Sequence, residues 1–186
     1  LGRPPAGTPL SCYPHPKISP ISREIGRLSE VAFRAVGEGT NKRRDIDAYD
    51  SHYYHLVLWD EQDLEIVGAY RLGDANILGR TGHETGLYSA TLFDYAEQKD
   101  ALFAEGLELG RSFVQPRYWG KRSLDYLWFG IGAFLNRYPR YRYLFGPVSI
   151  SNALPTPAPD LLVQFYTQQF NQLESLPKLS ASAQIP

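Results

Sequence analysis

The sequence has no methionine, a single cysteine at Cys12 and no apolar run long enough to cross a bilayer. One cysteine excludes an intrachain disulfide and is compatible with a reducing compartment. The formal net charge is −1, so bulk charge does not favour a nucleic-acid-binding protein. His15, His52, His55 and His83 lack the spacing of metal ligands, so no metal site is expected. The missing methionine, absent even at position 1, indicates a processed or excised fragment.

The 186 residues suit one domain with its own core. Residues 1–20 hold six prolines and predict an N-terminal tail or linker, residues 21–171 predict the domain, and residues 172–186 predict a C-terminal tail. Hydrophobic periodicity predicts helices at 22–36, 94–105, 123–138 and 160–170, a hairpin of 55–59 with 66–72, and strands at 107–114 and 143–150. This order predicts an α/β fold with a mixed central sheet and helices on its faces.

A basic, glycine-containing segment lies between the predicted strand at 107–114 and the longest predicted helix. It contains Arg117, Gly120, Lys121 and Arg122. A loop that leads into a helix N-terminus directs backbone N–H groups at one point, which is typical of a phosphate site. A helix start with solvated basic residues explains the segment equally well.

Three carboxylates, Asp45, Asp47 and Asp50, fall within six residues just before the hairpin. They repel one another unless an amine, an arginine or a metal joins them, although a polar loop is the simpler interpretation. Arg71 ends the second hairpin strand. An arginine at a sheet edge often anchors a carboxylate, and a surface strand residue is the alternative.

Glu108 and Arg111 lie in the predicted strand that leads into the basic segment. Strict alternation places Glu108 with Gly110, and Arg111 on the opposite face, unless a bulge near Gly110 breaks the pattern. A buried glutamate costs free energy unless it is paired, and burial is one way to adapt a carboxylate to act as a base. The alternative is a structural glutamate–arginine pair.

Together these segments resemble a known family. The strand, Arg117-x-x-Gly120-x-Arg122 and the helix resemble the pyrophosphate loop of the GNAT acyltransferase superfamily. The set Asp45-x-Asp47-x-x-Asp50, Gly68-x-x-Arg71-Leu72 and Glu108-x-x-Arg111-x-Phe113-Val114 is similar to that of acyl-homoserine-lactone synthases and the related ornithine-lipid N-acyltransferases, often labelled hemolysin-like. The flanking residues are most similar to the ornithine-lipid branch, including its form fused to a second acyltransferase domain. The resemblance covers residues 22–170 and implies a GNAT-like, mostly antiparallel sheet flanked by helices.

The resemblance implies an N-acyltransferase of lipid biosynthesis. The implied donor is an acyl-phosphopantetheine thioester on acyl carrier protein or CoA, and the implied acceptor is the α-amine of an amino acid, ornithine first. No permanent cofactor and no nucleic acid are expected. The expected location is cytoplasmic, peripheral at the inner membrane through the product or a fused domain.

The resemblance also assigns roles to residues. Glu108 is the expected general base, directly or through a water, and backbone N–H groups near Phe113 and Val114 are expected to bind the oxyanion. The phosphopantetheine phosphate is assigned to Arg117, Gly120, Lys121 and Arg122. The acceptor is assigned to Asp45, Asp47 and Asp50, with Arg71 and Arg111 bracing them.

Two positions depart from the family pattern. Gly39 stands where autoinducer synthases carry tryptophan, six residues after the phenylalanine that Phe33 matches, which argues against homoserine-lactone synthesis. Ser29 replaces an arginine four residues before Phe33, whose role is expected to be lost or taken over by Arg27. The alternatives are an acetyl-CoA-dependent N-acetyltransferase and a non-catalytic acyl-binding module.

Overall fold

The described residues form a central sheet of five strands, in the order β1 (Leu10–Pro14), β2 (Tyr54–Asp60), β3 (Glu65–Asp74), β5 (Gly106–Val114) and β6 (Tyr143–Phe145). The computed structural model describes residues 10–14, 19–80, 86–95, 99–150, 154–155, 157–169 and 178–179. Neighbouring strands are antiparallel except β5 and β6, which are parallel, and this confirms the predicted mixed, mostly antiparallel fold. A separate two-stranded sheet pairs β4 (Phe93–Asp94) with β7 (Lys178–Leu179).

Helices cover both faces of the sheet. α1 (Pro20–Ala35) begins with a capping box between Ser19 and Ser22, and its apolar side packs on Val57, Ala69 and Phe113. α4 (Ser123–Arg137) buries its apolar side against Leu56, Leu72 and Leu107 on the other face. None of the described helices is long and apolar enough to cross a bilayer. The remaining helices are α2 (Ala75–Leu78), α3 (Lys99–Ala104) and α5 (Ala158–Gln169), with short 3-10 turns at Ala48–Ser51, Tyr88–Thr91 and Pro116–Tyr118.

Two short segments of the predicted N-terminal tail or linker and of the predicted C-terminal tail are strands in the structure. Leu10–Pro14 is the sheet's edge strand and pairs with β2, and Lys178–Leu179 pairs with β4. Neither segment has a hydrophobic periodicity that would predict a strand. Each forms a strand through backbone hydrogen bonds to a partner that is distant in the sequence. The residues of the predicted tails at 1–9, 15–18, 172–177 and 180–186 lie outside the described residues. The strand predicted at 143–150 ends at Phe145, two residues before Pro147, which has no N–H for a ladder.

A bulge interrupts the ladder between β3 and β5. Ala69 pairs with Phe113 and Arg71 pairs with Gly110, so β5 carries one residue more than β3 across this interval. Arg111 has φ 44°, in the left-handed region. The extra residue breaks strict alternation, as the sequence allowed near Gly110, and Arg111 therefore reaches the same side of the sheet as Glu108.

Candidate active site

The aspartate loop docks on α1 before it enters β2. The backbone N–H of Asp45 donates to the carbonyl of Gly26 at 2.8 Å, and a Cβ on Gly26 would lie only 3.0 Å from the Asp45 carbonyl oxygen. Asp47 caps the turn Ala48–Ser51, because its Oδ1 accepts from the N–H of Tyr49 at 2.9 Å. Asp50 returns a bond, accepting from the Asp47 N–H at 2.8 Å. The three carboxylates are therefore held close together by local backbone bonds.

Two arginines from neighbouring strands bind these carboxylates. The Nη1 of Arg71 donates to Asp47 at 2.9 Å and to Asp50 at 3.1 Å. Arg111 donates to Asp47 at 2.6 Å and to Asp50 at 3.1 Å, and its Nη2 lies 3.2 Å from an Asp45 oxygen. The structure therefore brings all five predicted residues of this cluster into one ionic network.

The network determines the ionisation of its own members. Burial opposes ionisation of Asp47, but Arg71 and Arg111 outweigh it and lower the pKa of that carboxyl. Burial likewise opposes the charge on Arg71, and Asp47 and Asp50 outweigh it and raise the pKa of the guanidinium. The cluster joins three carboxylates to two arginines.

Glu108 lies beside this network and is 1% exposed. Its Oε2 accepts a hydrogen bond from the hydroxyl of Tyr53, and its Oε1 accepts from the backbone N–H of Ser89 at 2.7 Å. The alternative was a structural glutamate–arginine pair. Among the described residues no arginine forms an ion pair with Glu108, and Arg111 binds the aspartates instead. Tyr53 and Ser89 were missed from the sequence, since neither belongs to a motif and both reach Glu108 only through the fold.

The cations of the basic loop contact acidic or aromatic side chains of the protein itself. Arg117 forms ion pairs with Asp63 and, at 2.6 Å, with Glu65, both from the β2–β3 hairpin. Arg122 is bound to Asp125 at 3.1 Å, and the Nζ of Lys121 lies 4.8 Å above the ring of Tyr118. The cations predicted to bind phosphate already have acidic or aromatic neighbours in this structure. Gly120 has φ 74°, a backbone conformation that favours glycine.

Phe113 and Val114, the predicted source of the oxyanion contacts, both belong to the β3–β5 ladder. Phe113 is buried in the core beneath α1. The carbonyl of Val114 accepts from the indole N–H of Trp119 at 2.7 Å. Their contribution to an oxyanion site stays a prediction.

The two departures from the family pattern have structural explanations. Ser29 donates to Asp45 at 2.8 Å, whereas Arg27 pairs with Glu24 on the exposed side of α1. Positions 27 and 29 differ by about 200° around a helix, so Arg27 cannot reach the aspartates and does not take over the missing arginine's role. At Gly39 a Cβ would lie 2.9 Å from the Cα of Arg34, so a side chain there requires the loop to move.

Comparison with known proteins agrees with this architecture. The acetyltransferase (GNAT) domain model matches residues 28–129. The chain is 36% identical over 170 residues to a glycine N(alpha)-acyltransferase of Phocaeicola vulgatus. This alignment covers 84% of the chain and 52% of that protein. A protein of the same name from Bacteroides thetaiotaomicron is 36% identical over 178 residues, 87% of this chain and 52% of that protein.

An L-ornithine N(alpha)-acyltransferase of Rhizobium meliloti is 37% identical over 113 residues, 58% of this chain and 37% of that protein. The chain spans about half the length of the glycine-acyltransferase relatives it matches. No solved structure matches the chain. The chain belongs to the acetyltransferase (GNAT) domain family, as its resemblance to the GNAT superfamily predicted.

Proposed function

We propose that this domain transfers a fatty acyl group from a phosphopantetheine thioester, on acyl carrier protein or CoA, to the α-amine of an amino acid. The observation that carries the proposal is Glu108, a buried carboxylate that accepts two hydrogen bonds beside the aspartate–arginine network. Relatives named for glycine and for ornithine acylation support the class of acceptor. Lipid biosynthesis, with the product or a fused domain at the membrane surface, is part of the same proposal.

The charge of the network supports an amine acceptor. Three carboxylates face two guanidinium groups, which leaves one negative charge in excess. A cationic amino group is attracted to such a site, and a partly buried site screens that attraction less than bulk water does. Glycine is the first acceptor to test beside ornithine, because the glycine-named relatives align with more of the chain.

The edge of β5 supports a thioester donor with an amide-containing arm. β5 pairs with β6 only through Gly106–Glu108, and no described strand pairs with Gly110–Val114 on that side. Backbone groups at a strand edge that no other strand pairs with can bind an extended ligand. The edge leads to Gly120, Lys121 and Arg122 at the start of α4, which are our candidates for the donor phosphate.

The chemistry follows from these positions. The acceptor nitrogen attacks the thioester carbonyl, the N–C bond forms and the C–S bond breaks. Before the attack Glu108 takes one proton from the bound ammonium group, directly or through a water, and later releases it to solvent. The second proton, lost from the nitrogen as the amide forms, passes to the departing thiolate. The products are an amide and a free thiol. An N–H group near Phe113 or Val114 is our candidate donor to the transient oxyanion.

The test is an assay of the purified chain with long-chain acyl carrier protein, long-chain acyl-CoA or acetyl-CoA as donor, and glycine or ornithine as acceptor. Mass spectrometry then detects the N-acyl amino acid. We expect product with a long-chain donor, and product from acetyl-CoA alone supports an N-acetyltransferase instead. No product with any donor supports a non-catalytic acyl-binding module, and N-acyl-homoserine lactone formed from S-adenosylmethionine supports a signal synthase.

The base assignment has its own variant. Glu108→Gln is expected to lower kcat at saturating acceptor by about 100-fold or more, since a positioned base contributes factors of this size. Glu105→Gln is the matched control, because Glu105 lies in the same segment and is partly exposed near Arg142. Full acyl transfer by Glu108→Gln excludes Glu108 as the base.

A further inference from the structure

Tyr53 has no role in the chemistry described so far, yet it connects the base to the ionic network. The residue is 2% exposed and lies just before β2. Its hydroxyl oxygen accepts from the backbone N–H of Tyr88 at 2.8 Å, and its O–H donates to Glu108. Because the Tyr88 N–H occupies a lone pair of the oxygen, the phenolic proton is directed to the carboxylate.

The surroundings hold the Tyr53 ring in place. A Cβ on Gly73, in the adjacent strand, would lie 2.9 Å from the ring carbon that bears the hydroxyl, so only glycine leaves room for the ring. The guanidinium carbon of Arg71 lies 4.9 Å from the ring centroid on the same side of the sheet. Position 73 also pairs with Glu108 across the ladder, so the same strand places the ring beside the carboxylate.

Both oxygens of Glu108 act as hydrogen-bond acceptors. One accepts from the Tyr53 hydroxyl and the other accepts from the Ser89 N–H. Burial, and then the charge of Glu108, raise the pKa of the Tyr53 phenol above its usual value. The hydroxyl therefore keeps its proton and acts as a donor, not as a second base.

We propose that Tyr53 is the positioning residue of this acyltransferase, whose hydroxyl fixes the orientation of Glu108 and keeps the carboxylate ready to accept the amine proton. The inference rests on the proposed function, in which Glu108 is the base. Tyr53 acts through Glu108 and need not touch either substrate. The other titratable or charged side chains around the pair are Arg71 from β3, Tyr49 and Tyr88 from the two 3-10 turns, and Tyr95.

The experiment measures kcat and KM against pH for Tyr53→Phe in the full chain. Loss of the hydrogen bond to the carboxylate should lower kcat at neutral pH by about 10-fold or more. It should also move the acid limb of the pH–rate profile to higher pH, because the carboxylate loses a hydrogen-bond donor. The KM for acceptor and donor should change by less than about threefold, because the substrate contacts remain.

Two further variants separate positioning from folding. Gly73→Ala keeps the hydroxyl but crowds the ring, and we expect the same fall in kcat and the same movement of the acid limb. Tyr54→Phe is the matched control with unchanged kinetics, because Tyr54 is the next residue and packs on Phe134 beneath α4, on the other face. If Tyr53→Phe fails to fold, Gly73→Ala decides the question by the same criteria.

Unchanged kcat and an unchanged acid limb in the variants that fold, with Glu108→Gln inactive, would overturn the positioning role and leave the proposed function intact. A fully active Glu108→Gln would instead remove the base, and the role of Tyr53 with it.

Discussion

The two halves of the candidate site both contain ion pairs, but the first half is buried and the second is exposed to water. In the aspartate–arginine network Arg71 is 3% exposed and Asp50 is 7% exposed. In the basic loop Arg117 is 58% exposed and Arg122 is 70% exposed. Loss of an ionic contact in the first region would leave a buried charge without a partner, which strongly destabilises a fold. The ionic contacts in the second region contribute little to stability and can be replaced by solvent or by a ligand.

The regions also differ in how the chain assembles them. The network combines a loop after α1, the end of β3 and the bulge of β5, so its geometry depends on the sheet. The cations of the basic loop, by contrast, all lie in the single short segment from Arg117 to Arg122. A buried, ion-paired region suits the proposed base and acceptor, whose atoms must be aligned. An exposed region suits the phosphate of the proposed donor, which must bind and be released.

The largest expected difference is in stability. Arg71→Met should destabilise the fold by about 3–5 kcal/mol, because Asp47 and Asp50 lose a buried partner. Arg117→Met should cost at most about 1 kcal/mol, because its ion pairs are exposed to solvent. Urea unfolding at pH 7 measures both, and equal effects would mean that the two regions do not differ as described.

A smaller effect should appear as a pH dependence. The pKa of Asp47 is lowered by Arg71 and Arg111 against the effect of burial, so its ionised form stabilises the folded state. That stabilisation is complete above its usual value of 3.8 and is lost as the pH falls through the lower folded value. Asp47→Asn, which keeps the turn cap, should therefore destabilise the protein at pH 7 and have progressively less effect below pH 3.8.

Unfolding free energies of wild type and variant across this pH range test the expectation. Asp63→Asn is the control from the exposed region, where the ion pair with Arg117 should contribute at most about 1 kcal/mol. An Asp47→Asn effect that stays constant down to the most acidic condition would contradict the linkage.

The smallest effect is expected at the basic loop. Replacing Lys121 and Arg122 together by glutamine should raise the KM for the donor by about 3–10-fold with little change in kcat, equivalent to at most about 1.4 kcal/mol. The KM for the amino-acid acceptor should not change. Donor kinetics at two salt concentrations provide the check, because weak exposed charges are screened by salt. An unchanged donor KM would remove the loop from the donor site.

Much of the architecture could be predicted from local pattern. The hairpin, β5 and the two large helices appear within a few residues of their predicted limits, because each has its own periodicity. β1 and β7 could not be predicted, since their stability comes from backbone pairing with β2 and β4. The pairing of Arg117 with Asp63 and Glu65 was also missed, because these residues meet only when the hairpin lies beside the loop.

Residue types and their spacing were sufficient to predict the family of this protein. Three aspartates in six residues, Arg71, and Glu108 three positions before Arg111 predicted both the family and an ionic cluster. The partners of each charge depended on the fold. A bulge at Arg111 directs that side chain towards the aspartates. Glu108 instead accepts hydrogen bonds from the Tyr53 hydroxyl and the Ser89 N–H. A side chain's direction in a strand changes with a single extra residue, and such an insertion is set by the neighbouring strand.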